Sequence, residues 1–234
     1  MNAFRNLLAA AAASVALAGS AQAAVIVLDF EGVNATYPSG NANVQGFYNG
    51  GTSSVATTGV NYGINFGANA LAICLNTIGT ACSNTSRGGF GNPTSDKGAL
   101  FFLNGAETFM NVAGGFDTGF SFFYTAVNQG GSISVFDNLN GTGTLLATLT
   151  LPTTASACDP SYGAGFCPFV ASGIGFAGTA KSVSFAGVAN QVVFDDVTFG
   201  SVTPDPVPVP EPASMALLGA GLLGLAAARR RQRG

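Results

Sequence analysis

The sequence predicts an all-β domain, an antiparallel β-sandwich of the jelly-roll type, flanked by an N-terminal signal peptide and a single C-terminal transmembrane helix. Three observations predict the sandwich. Segments such as 132–136 and 182–185 alternate polar and apolar residues, which buries one face of each strand. Gly- and Asn-rich turns separate these segments. No amphipathic helix of convincing length occurs between residues 24 and 203.

Nine segments fit a strand. In chain order they are 25–30, 62–66, 70–75, 99–103, 118–122, 132–136, 145–151, 182–185 and 192–199. The Asn- and Gly-rich stretch 138–143 predicts a hairpin loop, and glycine pairs beginning at Gly50, Gly88, Gly114 and Gly130 predict further chain reversals. The stretch 173–178 fits a dinucleotide-binding fingerprint as a string, but no helix pattern follows it. We therefore interpret it as a turn between strands.

The N-terminal residues 1–23 have the pattern of a signal peptide. Arg5 precedes an Ala/Leu/Val-rich run, and Ala21-Gln22-Ala23 suits signal peptidase. We expect the mature chain to begin at Ala24. The residues 24–200 that follow suffice for one domain with its own core.

Composition excludes several functions for this domain. Residues 24–203 contain three Lys or Arg and nine Asp or Glu, a net charge of −6, and the whole sequence has no histidine. We expect no nucleic-acid partner, because phosphate binding needs a basic face. The missing histidine excludes His-dependent serine triads and His-ligated zinc sites.

The C-terminal region changes composition after Gly200. Residues 201–209 alternate proline with other residues, which favours an extended polyproline linker. The uncharged segment 213–228 predicts a transmembrane helix of about 24 Å, short against roughly 30 Å of hydrocarbon, so that flanking arginines must snorkel. Four arginines follow in the tail 229–234, and they fix its cytoplasmic orientation. They are Arg229, Arg230, Arg231 and Arg233.

Pro210-Glu211-Pro212, the apolar helix and the basic tail together resemble the PEP-CTERM sorting signal of Gram-negative bacteria, here spanning 210–234. The resemblance implies an exported precursor that is held in the inner membrane and processed by an exosortase, with Pro210, Glu211 and Pro212 as the recognised motif. It also implies delivery to the cell envelope or extracellular matrix and association with exopolysaccharide in a biofilm. We expect a non-catalytic protein.

Four cysteines suit an oxidising compartment and permit three pairings. We favour the two local disulfides, Cys74 with Cys82 and Cys158 with Cys167, since each brackets a turn-rich stretch. Each would contribute about 2 to 3 kcal/mol by loop entropy.

The domain opens with Phe30-Glu31-Gly32 and closes with Asp195-Asp196-Val197, a pattern that resembles jelly-roll carbohydrate-binding modules. The resemblance implies a structural calcium ion, for which the candidate ligands are Asp29, Glu31 and Asp195. Strand alternation predicts that Asp29 and Glu31 share one face, and that Asp195 shares the face of its apolar neighbours at 193, 197 and 199. Alternatively, these acids lie in water at strand ends or accept hydrogen bonds from turn amides.

Glycan binding and catalysis are the remaining hypotheses. The candidate ligand-contact residues are Tyr37, Tyr48 and Tyr162, which fall in Gly/Asn/Pro-rich stretches. Paired carboxylates of a glycoside-active enzyme would have to come from acids such as Glu31, Asp96, Glu107 or Asp117, and no local motif proposes a pair. We therefore assign no catalytic residue.

Overall fold

The strands of this protein form two antiparallel sheets, as the sequence predicts. The computed structural model describes residues 25–34, 40–75, 95, 97–154 and 169–204. The predicted signal peptide, transmembrane helix and basic tail lie outside these ranges. Among the described residues, no helix is long and apolar enough to cross a membrane.

Twelve strands occur in the described residues. They are β1 Ile26–Leu28, β2 Asn41–Asn43, β3 Ile64–Phe66, β4 Leu71–Cys74, β5 Gly98–Phe101, β6 Glu107–Phe116, β7 Gly119–Ala126, β8 Gly131–Phe136, β9 Leu145–Leu151, β10 Val170–Gly175, β11 Ala180–Gly187 and β12 Val192–Phe199. Short 3-10 turns occur at Phe47–Asn49 and Leu139–Gly141.

The two sheets, A and B, have different strand orders. Sheet A has seven strands in the order β10-β7-β12-β5-β4-β2, with β1 also paired to β12. Sheet B has five strands in the order β3-β6-β11-β8-β9. Every strand pair is antiparallel. Sequence-distant strands lie side by side in both sheets, as expected for the predicted sandwich.

Phenylalanine rings from both sheets fill the core. Phe185 of β11 and Phe194 of β12 meet edge to face, with ring centroids 4.8 Å apart, and join sheet B to sheet A. Phe120 of β7 contacts Phe185 at 5.9 Å. Edge-to-face pairs of this kind each contribute about 0.5 to 1.5 kcal/mol beyond their buried area. Apolar residues of β7 and β11 therefore pack into the core between the sheets, as the sequence predicts.

One predicted reversal is a strand, and one predicted turn begins later than expected. The Gly114–Gly115 pair lies inside β6. The stretch 173–178 starts as the end of β10 and continues into the turn before β11, so the predicted turn between strands is correct only for its second half. The hairpin loop between β8 and β9 lies where it is predicted. Strands β2, β6 and β10 have no counterpart among the predicted segments, because two of them are interrupted by glycine and β2 is only three residues long.

A β-bulge near the middle of β12 changes which residues face the core. Asp195 lies opposite Phe123 and Thr198 opposite Ser121, so β12 holds one residue more than β7 across this interval. Asp196 adopts a positive φ of 43° there. Phe194 and Val197 both pack into the core between the sheets. The prediction that Asp195 shares a face with its apolar neighbours therefore holds for Val193, which precedes the bulge, and is wrong for Val197 and Phe199, because the bulge shifts the alternation.

The segment after β12 packs back onto sheet A. The backbone oxygen of Val202 lies 2.1 Å from the position that a Cβ on Gly173 would take, and Gly200 N–H donates to the Gly119 carbonyl at 3.0 Å. We call residues 201–203 the C-terminal strap. The strap holds the end of the domain against β7 and β10.

Candidate functional site

An acidic cluster forms where two strands meet end to end on β12. Strand β7 pairs with one edge of β12, so β1 and β5 must share the other edge. β1 pairs near the C-terminal end of β12, where Leu28 lies opposite Val197, and β5 pairs closer to its N-terminal end, where Leu100 lies opposite Phe194. The bulge that contains Asp195 and Asp196 lies at this junction.

Glu31 links the segment that follows β1 to the start of β5 through hydrogen bonds. Its Oε1 atom accepts hydrogen bonds from the backbone amides of Lys97 at 2.5 Å and Gly98 at 2.6 Å. The close approach requires glycine, because a Cβ at position 98 would lie 2.3 Å from the Phe30 carbonyl oxygen. Glu31 is half-buried, and its carboxylate joins two strands that are far apart in the sequence.

Asp195 is a fully buried carboxylate. It accepts hydrogen bonds from the Ser95 hydroxyl at 2.6 Å and from the Asp196 amide at 2.7 Å. Burial raises the pKa of Asp195 well above its usual value, and the negative charges of Asp196 and Glu31 raise it further, against the opposing effect of the two hydrogen bonds. The site thus concentrates negative charge around a group that water does not reach.

Asp29 does not share a strand face with Glu31. β1 ends at Leu28, and Phe30 adopts a positive φ of 55°, which breaks the alternation on which that prediction depends. Asp29 is exposed, and its Oδ1 atom accepts from the Glu31 amide at 3.1 Å. This carboxylate therefore caps a local turn, as the alternative interpretation predicts for the acids.

The donor chemistry of the site fits a hard cation. Carboxylates of Glu31 and Asp195, the Ser95 hydroxyl and neighbouring carbonyls supply oxygen atoms, which calcium prefers. Within the described ranges, however, no group of three or more Asp, Glu, Cys or His side chains has the arrangement of a metal site. A cation here would need hydroxyl and carbonyl oxygens to complete its coordination.

The predicted aromatic contacts differ in their placement. Tyr48 is buried, and its hydroxyl accepts a hydrogen bond from the Phe30 amide at 2.9 Å. Its ring meets Phe30 edge to face at 6.0 Å. The prediction that Tyr48 contacts ligand is therefore wrong, because the ring belongs to the core. Tyr37 and Tyr162 fall outside the described residues.

Two of the acids considered for catalysis, Glu107 and Asp117, lie far apart. Glu107 begins β6 and Asp117 follows its last residue, and an extended strand of ten residues covers about 33 Å. The pairs of glycoside hydrolases need carboxylates roughly 5 to 9.5 Å apart. Glu107 also accepts a hydrogen bond from the Ser184 hydroxyl at 2.5 Å. Asp96 is not among the described residues.

Cys74 ends β4, is fully buried and is disulfide-bonded. Cys82, Cys158 and Cys167 lie beyond the part of the chain that the structure describes. The two local pairings therefore stay a prediction.

Sequence reasoning missed the residues around the start of β5. Ser95 and the amides of Lys97 and Gly98 complete the cluster, yet a serine before a strand and two backbone amides leave no motif. The one usable signal was Gly98 at the start of an apolar strand, since a glycine in a strand often marks close backbone approach.

Comparison with solved structures gives partial matches, of which two follow. One is a glycoside hydrolase family 43 arabinoxylan arabinofuranohydrolase from Bacillus subtilis in complex with cellotetraose, with a TM-score of 0.31, 21% identity, and coverage of 47% of this chain and 22% of that one. Another is the CBM22-1-GH10 modules of Clostridium thermocellum endo-1,4-β-D-xylanase 10B with xylohexaose, with a TM-score of 0.31, 15% identity, and coverage of 60% and 26%. The chain thus spans about a quarter of either structure. No curated protein matches it.

The C-terminal sequence gives the more specific comparison. Residues 208–231 match the family model of the PEP-CTERM protein-sorting motif. This match includes Pro210-Glu211-Pro212, the apolar segment and most of the arginine cluster. The chain therefore carries a PEP-CTERM protein-sorting motif and is an exported, membrane-anchored precursor addressed to an exosortase.

Proposed function

We propose that this protein is a non-catalytic component of the cell envelope or extracellular matrix, released or attached there after exosortase processing and associated with exopolysaccharide. The observation that carries the proposal is the sorting motif at 208–231. The β-sandwich supports it as the cargo, since a fold built from short strands and turns offers broad surfaces for binding outside the cell.

Processing is tested by replacing Pro210, Glu211 and Pro212 with alanine in the full chain. We expect an uncleaved form that stays in the membrane fraction on an immunoblot. The matched control replaces Thr203, Pro204 and Asp205, which precede the matched region. Normal processing of the first variant would contradict the proposal, and a defect in both would point to the linker instead of the motif.

The outer face of sheet B supports the polysaccharide association. Phe109 of β6 lies opposite Ser184 of β11, which lies opposite Ser134 of β8. The next row across these strands contains Asn111, Ser182 and Phe136. Ser182 and Ser184 are buried, and their hydroxyls already donate to the Asn138 carbonyl and to Glu107. The accessible groups of this face are therefore the half-buried Ser134 and Phe136 of β8, whose hydroxyl can bond a sugar hydroxyl and whose ring can pack against a sugar ring.

Retention on the exopolysaccharide of the producing strain tests this association. We expect the processed protein to migrate more slowly in gels that contain the polysaccharide, and we expect Phe136→Ala to remove most of the shift. Val60→Ala is the control, because Val60 is 60% exposed in a loop away from these rows. An unretarded native protein would leave a structural envelope role as the surviving interpretation.

We also propose that a structural calcium ion binds at Glu31 and Asp195, two of the three predicted ligands, with the Ser95 hydroxyl and backbone carbonyls completing its coordination. Two observations support this proposal: Asp195 is buried near other acids, and all the available ligand atoms are oxygens. Calcium, added to chelator-treated protein, should raise the melting temperature, and Asp195→Asn should abolish the rise. Magnesium is the comparison ion, since it requires stricter octahedral geometry and shorter distances to its oxygen ligands than calcium does. An unchanged melting temperature with calcium would contradict the proposal.

A further inference from the structure

The side of the sandwich formed by β2 and β3 has its strand edges occupied. Both strands have three residues. Asn43 of β2 donates its amide to the Ser54 hydroxyl at 2.8 Å and accepts from the Ser54 amide at 3.0 Å. Phe66 of β3 donates to the Gln45 carbonyl at 3.0 Å. Loop residues thus take the hydrogen bonds that another strand would need.

On the opposite side, β9 and β10 have no strand partner on their outer edges among the described residues. β9 has seven residues and pairs there with β8, and β10 has six and pairs with β7. Within the described residues, the backbone groups on the outer edges of both strands form no further hydrogen bond. The two strands lie close together on this side. Neither contains a charged residue or a proline, the features that usually block edge pairing.

Within β9, residues 147–151 are suited to pair with themselves. A bulge interrupts the ladder just before them, because Val135 lies opposite Ala147 but Phe136 lies opposite Leu145. Beyond the bulge, Thr148 and Thr150 are exposed on the outer face of sheet B, while Ala147 and Leu149 pack at the margin of the core. The segment is thus polar on one face and apolar on the other, and uncharged throughout.

We propose that two copies of this chain associate through residues 147–151 of β9, paired antiparallel about a twofold axis at Leu149. In this register Thr148 of each copy lies opposite Thr150 of the other, a favourable cross-strand pair. Leu149 meets its own counterpart, and Ala147 meets Leu151, so that the apolar edge of each core is covered. Sheet B then continues from one copy into the next, which is β-strand addition between identical edges.

The test uses the processed protein collected from cells that express the full chain. Thr148→Lys combined with Thr150→Lys places lysines opposite each other across the pairing, where like charges are unfavourable. Both positions are exposed within one copy, so the fold tolerates the change. The control combines Val55→Lys with Val60→Lys, which are 39% and 60% exposed and add the same charge elsewhere.

Sedimentation velocity measures the association. We expect the native protein and the control to form a concentration-dependent dimer, and the Thr148/Thr150 variant to dissociate at concentrations about tenfold higher or more. Amide hydrogen exchange should show protection of 147–151 that grows with protein concentration. A native protein that is monomeric at about 100 μM, an unaffected lysine variant, or protection confined to another strand would each overturn the proposal.

These outcomes are separate from those that test the proposed function. Cleavage at the sorting motif is scored on immunoblots of the same cultures, and a monomer can be exported and processed normally. A processed monomer would therefore reject the association and leave the proposed function in place. An unprocessed dimer would support the association and contradict the proposed function.

Discussion

The hydroxyl of Ser95 donates a hydrogen bond of 2.6 Å to Oδ2 of Asp195, across the junction between β5 and β12. A neutral hydroxyl donates to the carboxylate but does not neutralise its charge. Burial and the charges of Asp196 and Glu31 therefore keep the pKa of Asp195 raised. The protonation of one side chain is thereby linked to the stability of the domain.

Without a bound cation, the domain should become less stable as the pH rises through the pKa of Asp195. Asp195 has a higher pKa when folded than when unfolded, so the folded state binds its proton more tightly. The resulting stability is present below the unfolded pKa of about 3.9 and is lost as the pH rises through the folded pKa. Melting temperatures in chelator should fall over this window by about 2 to 4 °C per kcal/mol.

The Asp195→Asn variant tests whether Asp195 causes the decrease in melting temperature. Its neutral amide does not titrate, so the difference in melting temperature between the native protein and the variant should shrink toward low pH. Asp137→Asn is the control, because hydrogen bonds from Thr144 lower the pKa of Asp137 and its effect has the opposite sign. A native profile parallel to that of Asp195→Asn would rule out this linkage.

Glu31→Ala should destabilise the domain by about 2 to 4 kcal/mol. The substitution removes the acceptor of two backbone amides, and bonds to a charged acceptor are worth about 1.5 to 3 kcal/mol each. Because Glu31 is only half-buried, water partly replaces both bonds, and the loss is smaller than their sum. Glu31→Gln retains one oxygen in the same place and should lose about half as much. Urea unfolding of the processed protein measures both. Equal losses for Ala and Gln would mean that the side-chain oxygen does not hold β5.

Gly98→Ala should be far more harmful than the same change elsewhere in a strand. A Cβ at position 98 would lie 2.3 Å from the Phe30 carbonyl oxygen, so β1 must move away from β5. We expect a loss of about 3 kcal/mol in urea unfolding. Gly114→Ala in β6 is the matched control, because nothing lies within 4 Å of its Cβ position. Similar losses at both sites would refute the close contact.

Gly173→Ala should release the C-terminal strap while leaving the sandwich folded. The new Cβ would take the space of the Val202 carbonyl, 2.1 Å away. We expect proteinase K to cut residues 201–204 faster, since the strap is a chain end. The melting temperature should also fall, because the same Cβ would lie 2.8 Å from the Cβ of Ser121 in β7. Gly175→Ala meets Val202 only at 3.5 Å and should be digested like the native protein. Identical digestion of all three would mean that the strap is not held at Gly173.

The sequence predicts strands well where side chains alone decide them. The bounds of β9 and β12 match the predicted 145–151 and 192–199, because both segments are long, apolar and free of glycine. Prediction failed where glycine serves a neighbour rather than a turn. Position 173 in β10 requires glycine because the strap passes over it, and a local pattern contains no information about such a contact.

The acidic cluster was predictable only in part. Glu31 and Asp195 were expected near each other, and the charge of Glu31 does raise the pKa of Asp195; calcium binding there stays a prediction. The orientation of Asp195 was not predictable, since one extra residue at a bulge reverses the alternation. Tyr48 was misjudged because its surroundings in the sequence are loop-like, whereas the folded chain closes over its ring.

The pairing of β1 with β12 also has a consequence for the order of folding. Ile26 lies opposite Phe199, so the backbone of β1 can form its hydrogen bonds with β12 only after this last strand has been synthesised. A chain that emerges from its N-terminus must keep β1 unpaired until almost the whole domain is out, and such non-local pairing folds slowly. Sheet A can therefore be completed only when the whole domain has emerged, just before the C-terminal segment that contains the sorting motif.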